Sequence, residues 1–219
     1  MKIEAVAFDI DGTLYPNSEM YLKSIPFVMG HLRELKTFSK VRKDIRDHKQ
    51  FVDFHQQQAI MMGEALGISP ERAKALINRV FYTRWFKVFN HLKPFPHVKE
   101  VLESFKSKGL KLAALSDFPL QDRLNKLGLD EYFPVKLSSE DVGRLKPNVE
   151  PFVELQKRLE IPAENILYVG NSYQYDVEGS HKANMKAAHL VKRPKKQSEA
   201  EFSFYNYHEL EKWVLGQLQ

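Results

Sequence analysis

The apolar positions of the chain follow two rhythms. Residues 3–8 form a short run rich in β-forming side chains that stops at Asp9-Ile10-Asp11-Gly12-Thr13, the pattern of a buried strand ending in a tight loop. Residues 111–115 repeat it and stop at Ser116-Asp117; residues 165–169 repeat it and stop at Gly170-Asn171-Ser172; residues 186–191 form a fourth run. Between these runs the apolar spacing turns helical: residues 98–108 before Gly109, residues 121–127 before Gly128, and residues 149–159 after Pro147. Strands alternating with helices predict a parallel sheet with helices on both faces.

Residues 17–93 break this rhythm. They carry long helical patterns at 20–36, 49–66 and 70–91 and no convincing strand. Ser69-Pro70-Glu71 reads as a helix start, with Ser69 as cap and Pro70 in the first turn. The simplest organisation is an α/β core built from residues 1–16 and 94–219, Rossmann-like in its alternation, with an all-helical insert at 17–93. The core resumes near Pro94-Phe95-Pro96.

Composition narrows the function classes. With 219 residues, 43% of them hydrophobic, the chain is long enough for one good-sized core. It has no cysteine, which excludes disulfides, thiolate metal sites and a cysteine nucleophile, and agrees with a cytosolic setting. The apolar start is too short for a signal peptide and reaches Asp9 and Asp11 almost at once. No apolar stretch approaches the roughly 20 residues that span a bilayer, so a soluble protein with no membrane partner is expected. The net charge of +5 is spread along the chain. Its one dense run, Lys192-Arg193-Pro194-Lys195-Lys196, reads as a solvated loop and not a nucleic-acid patch. A positive field also draws in small phosphorylated molecules.

The polar residues just after the strands are the candidate chemistry. In an open parallel sheet, ligands bind beyond the carboxyl ends of the strands. Asp9, Asp11, Ser116, Asn171 and Asp176 all follow predicted strands there. Any one of them alone is an ordinary turn or cap residue. Two neighbouring carboxylates repel unless a cation neutralises them or one is protonated. Oxygen donors without soft ligands point to magnesium. Gly12 lets the chain turn sharply after them.

Phe8-Asp9-Ile10-Asp11-Gly12-Thr13-Leu14 resembles the first motif of the haloacid dehalogenase-like hydrolases. Ser116 resembles the second, Lys146 in Arg144-Leu145-Lys146-Pro147-Asn148 the third, and the segment from Gly170 to Asp176 the fourth. The order is right and the resemblance covers nearly the whole chain. It implies a phosphatase in which Asp9 attacks phosphorus and Asp11 is acid and base. Ser116 would hold a phosphate oxygen and Lys146 would balance charge. Magnesium would be held by Asp9, Asp11 (through its carbonyl), Asn171 and Asp176. The insert resembles the cap of the subgroup that includes phosphoglycolate phosphatase and the haloacid dehalogenases. Ile10, Asp117, Tyr15 and Arg84 are the candidate substrate contacts, Tyr15 at the pocket entrance or packed, Arg84 reaching a substrate anion or solvated. Phe81, Trp85 and Val88 share a helical face and read as core.

The sequence departs from the pattern at Asn171, where family phosphatases mostly carry Asp. The rivals are a haloacid dehalogenase, which lacks the acid matching Asp11, a phosphomutase, and a silent member that only binds. The expected substrate is a small phosphorylated metabolite, and nothing indicates an oligomeric state. His31, His48, His55, His91 and His97 lack metal-ligand spacing and read as surface or packed residues.

Overall fold

The computed structural model describes residues 2–47, 53–120, 122–193 and 198–218. His48, the first turns of the helix expected from residue 49, Gln121, and Pro194 to Lys196 of the basic run lie outside them.

Six parallel strands form one sheet in the order β3-β2-β1-β4-β5-β6. They are β1 (Ala5–Phe8), β2 (Lys111–Ser116), β3 (Val135–Ser138), β4 (Ile166–Gly170), β5 (Lys186–Leu190) and β6 (Phe202–Phe204). Four of these are the apolar runs of the sequence. The other two stand at the sheet edges and are only four and three residues long, too short to carry a periodic signal.

Alternation along β1 shows why both faces must be covered. Val6 and Phe8 join one core cluster, Ala5 and Ala7 the other, and all four are fully buried. Helices α5 (Val98–Ser107) and α10 (Tyr207–Gln217) supply the first cluster through Val101, Phe105, Leu210 and Val214. Helix α8 (Glu150–Leu159) supplies the second through Phe152, Leu155 and Leu159.

Between β1 and β2 the described residues are helical. Helices α1 (Asn17–Gly30) and α2 (Leu32–Asp47) replace the single helix expected at 20–36. The break falls after Gly30, a poor helix former, where His31 leaves helical geometry at φ −139°, ψ 31°. Helix α3 (Phe54–Leu66) is capped by Asp53 and ends on Gly67 in the left-handed region. Helix α4 (Pro70–Ile77) starts as expected, its Ser69 cap accepting from the Arg72 N–H at 3.4 Å. The expected helix to residue 91 continues in two altered forms, a π-helical stretch Asn78–Arg84 and a 3₁₀ stretch Trp85–His91. Phe81 is fully buried, and Trp85 and Val88 pack partly buried against the same core. Among the described residues, no helix is long and apolar enough to cross a membrane.

Candidate active site

Strand β1 is central, with β2 on one side and β4 on the other, so the chain switches direction across it. Phe8 stands level with Ala114 of β2 and Val169 of β4. That register delivers Asp9, Ser116 and Asn171 to the same edge of the sheet within two residues of one another's level. The expected sites therefore meet because three strands are in register.

Asp9 is 5% exposed and its two oxygens are taken by different donors. Lys146 Nζ donates to Oδ1 at 2.7 Å and Thr13 Oγ1 to Oδ2 at 2.8 Å. The same ammonium donates to Asp176 Oδ1 at 2.7 Å and to Tyr168 Oη at 3.1 Å. One buried cation thus serves two buried carboxylates. Burial first, then the negative charges of Asp176 and Asp11, push the Asp9 carboxyl up to about 7 despite Lys146. Burial disfavours the charged Lys146, but Asp176 and Asp9 outweigh it and hold its pKa well above the ordinary lysine value.

Two glycines make the geometry possible. Gly12 has φ +84°, and a Cβ there would lie 2.1 Å from Asn17 Nδ2 and 2.2 Å from Asn171 Nδ2. A Cβ on Gly170 would lie 2.3 Å from the Asp176 side chain, which folds back so that Oδ2 accepts the Ser172 N–H at 2.9 Å. Beneath this loop, buried His189 lies 2.9 Å from Ser198 Oγ through Nδ1 and 3.3 Å from the Asn171 carbonyl through Nε2.

Asp11 points elsewhere. Its carboxylate pairs with Arg123 of the short helix α6 (Arg123–Lys126), accepts from Tyr15 Oη at 2.5 Å and accepts from Ser116 Oγ at 3.0 Å. Burial alone would raise its pKa, but Arg123, with Tyr15 and Ser116, holds it below the ordinary aspartate value. Arg123 is itself 1% exposed and lies over the rings of Phe89 and Phe86, 4.5 and 5.2 Å from their centroids.

Asp9, Asp11, Asp117, Lys146, Asn171 and Asp176 line one small pocket of about 130 Å³. Asp117 serves positioning: Oδ1 accepts the Lys146 backbone N–H at 3.0 Å, and Oδ2 accepts from Arg46 of α2 at 2.5 Å. Arg46 also donates to the Lys146 carbonyl at 2.9 Å. Its neighbour Arg42 pairs with buried Glu140 and donates to the Asp117 carbonyl at 2.8 Å. Helix α2 is thereby fastened to the core at Asp117 and Lys146, which line the pocket.

Of the positions left open for the expected substrate contacts, the structure takes the packed one for Tyr15 and the solvated one for Arg84. Tyr15 is fully buried and supports Asp11, away from any entrance. The Ile10 side chain is also fully buried in core. Arg84 is exposed and lines a surface hollow with Lys23, Pro26 and His91, because its neighbours Phe81 and Trp85 take the inward face. The sequence reading missed Thr13, Arg42, Arg46, Arg123 and Tyr168. Thr13 lies within the first motif; the arginines look like any surface arginine in a chain of 33 basic residues.

The donors fit a magnesium ion that keeps waters of its own. Two buried carboxylates sharing one lysine leave negative charge uncompensated, and Asn171 adds a carbonyl oxygen in the same pocket. Among the described residues, no three histidine, aspartate or glutamate side chains converge as a ready metal cage, since the Asp11 carboxylate is turned to Arg123.

Residues 6–190 match the model of the haloacid dehalogenase-like hydrolase family. The chain belongs to that family. It is 27% identical over 192 residues to the glyceraldehyde 3-phosphate phosphatase of Methanopyrus kandleri, covering 84% of this chain and 82% of that one. It is 28% identical over 195 residues to a phosphorylated carbohydrates phosphatase of Thermotoga maritima, covering 86% and 85%. These relatives put it on the phosphatase branch of the family. Among solved structures, a HAD phosphatase from Thermococcus onnurineus shares the fold at TM-score 0.67 and 22% identity, over 98% of each chain. A 2-haloacid dehalogenase from Pseudomonas syringae does so at 0.68 and 22%, over 99% of this chain and 100% of that one.

Proposed function

We propose that this hydrolase is a magnesium-dependent phosphatase that cleaves a small phosphorylated metabolite through an aspartyl phosphate on Asp9. The observation that carries the reading is the Asp9 carboxylate, buried at the end of the central strand with Lys146 and Thr13 fixing both oxygens. Residues 17–93 act as the cap over this site, on a core of residues 1–16 and 94–219.

A carboxylate attacks a phosphate dianion only where charge is screened. Lys146 supplies one positive charge, shared between Asp9 and Asp176. Asp9, Asp176, Asn171 and the Asp11 carbonyl would hold the magnesium ion, which supplies charge neutralisation and orientation of the phosphoryl group when bound. Asp11 protonates the leaving oxygen and then takes a proton from the attacking water. To do so its carboxylate must part from Arg123. Ser116, which donates to Asp11, turns to a phosphate oxygen in the complex, with the Ile10 and Asp117 backbone beside it. A fastened cap excludes water during the transfer.

The test is turnover of para-nitrophenyl phosphate with and without magnesium, in the wild type and in Asp9→Asn. Magnesium-dependent release, reduced at least about a thousandfold in Asp9→Asn, is expected for loss of a nucleophile. Chloride release from a 2-chloro acid without magnesium would favour the dehalogenase reading instead.

A further inference from the structure

Beside the catalytic pocket lies a far larger cavity, about 840 Å³, between α1 and α2. The two meet at Phe118 and Tyr175, which line both. Arg42 and Arg46 are stacked on these two rings, 4.0 and 4.5 Å from the centroids. The smaller pocket has room for little more than a phosphoryl group and its waters. The larger one sits within the roughly 300–1,000 Å³ typical of whole-ligand sites.

Its lining is chemically one-sided. Lys36, Lys40 and Lys43 border it at the i, i+4, i+7 spacing of one face of α2, and the described lining contains no carboxylate. Among the described residues these three lysines have no ion-pair partner within 4 Å. Like charges at this spacing repel one another, and an anion relieves that repulsion. The rest is mainly apolar and aromatic, with half-buried Trp85 and Phe118 beside exposed Tyr21. Such a surface takes a flat ring.

Resting on the phosphatase reading, we propose that this cavity receives the leaving group, and that the substrate class is a phosphomonoester bearing a heteroaromatic ring and a second phosphate, as in a nucleoside bisphosphate. A three-carbon leaving group would leave most of the cavity empty and the lysines unmatched. In the reaction the ester bond between phosphorus and the leaving oxygen breaks, a water oxygen ends on phosphorus, and a water proton ends on the leaving oxygen. The ring and the second phosphate depart unchanged.

The experiment compares kcat/KM for adenosine 3′,5′-bisphosphate, adenosine 5′-monophosphate, glyceraldehyde 3-phosphate and para-nitrophenyl phosphate. It uses the wild type and the triple variant Lys36→Gln, Lys40→Gln, Lys43→Gln, with folding checked by circular dichroism. The bisphosphate is expected to exceed glyceraldehyde 3-phosphate at least about tenfold, with the monophosphate between them. The triple variant should lower kcat/KM for the bisphosphate about tenfold more than for the nitrophenyl ester. Equal turnover of bisphosphate and triose phosphate, or an unchanged ratio in the folded triple variant, overturns the proposal while the phosphatase reading stands. No turnover of any ester, the nitrophenyl one included, overturns both.

Discussion

Buried Arg123 closes an ion pair with half-buried Asp11, 112 positions earlier in the chain. The pair anchors the second aspartate of the first motif to a helix beyond β2, inside a ring of Phe86 and Phe89. It sets where the Asp11 carboxylate rests, level with Ser116 and turned from Asp9.

Removing Arg123 leaves the partly buried Asp11 carboxylate without its cation but still held by Tyr15 and Ser116, at about 1–3 kcal/mol. Arg123→Met should therefore lower Tm by about 2–12 °C at this chain length. The double variant Arg123→Met, Asp11→Asn should recover part of that loss. A thermal melt in which the double variant is no more stable than the single one would contradict the pairing.

Stability without magnesium should fall as pH rises from about 4 to 7. Asp9 has its folded pKa raised from 3.8 to about 7. Over that window the folded state holds a proton that the unfolded state has lost, so ∂ΔG/∂pH is negative for this group. The contribution is on the order of a few kcal/mol, present in full below the unfolded value and gone above pH 7. Because a cation competes with that proton, magnesium should raise Tm more at pH 8 than at pH 5. Equal shifts at both pH values would place the ion away from Asp9.

Asn171→Asp restores the charge that most family phosphatases carry at this position, and it should tighten magnesium binding in a calorimetric titration. Unchanged or weaker binding would show that Asn171 is no ligand.

Gly170→Ala tests the local packing. The added methyl would stand 2.3 Å from the Asp176 side chain, so that carboxylate must leave Lys146. Overpacking of this kind costs about 1–3 kcal/mol, which the fold should survive. Phosphatase turnover is expected to fall at least about a hundredfold. A variant that keeps full turnover would separate Asp176 from the chemistry.

Arg46→Gln should act through the cap. Asp117 loses its partner at 2.5 Å and the Lys146 carbonyl its donor at 2.9 Å. The expected result is a drop in kcat/KM of about tenfold, with a smaller effect on magnesium affinity. A loss of magnesium binding equal to the loss of kcat/KM would move Arg46 from fastening the cap to shaping the metal site.

The sequence by itself determined the four inner strands and the loops that end them at the site, but not the short edge strands β3 and β6. Apolar runs that stop at Asp9, Ser116 and Asn171 are local patterns, and parallel pairing in register carries those residues to one edge. It likewise determined that the described residues between the first two strands form helices and no strand. Only the tertiary structure decided which cation meets which carboxylate. Lys146 could be matched to Asp9 by motif order, but nothing in the chain distinguishes Arg123, Arg42 or Arg46 from the other basic residues until the fold buries them. The tertiary structure also chose between the positions open to Tyr15 and Arg84, burying one in the core and leaving the other in solvent. The reason is physical: strand and helix periodicity is fixed by neighbours a few residues apart, whereas burial of a charge depends on partners that contribute from segments as distant as residues 11 and 123.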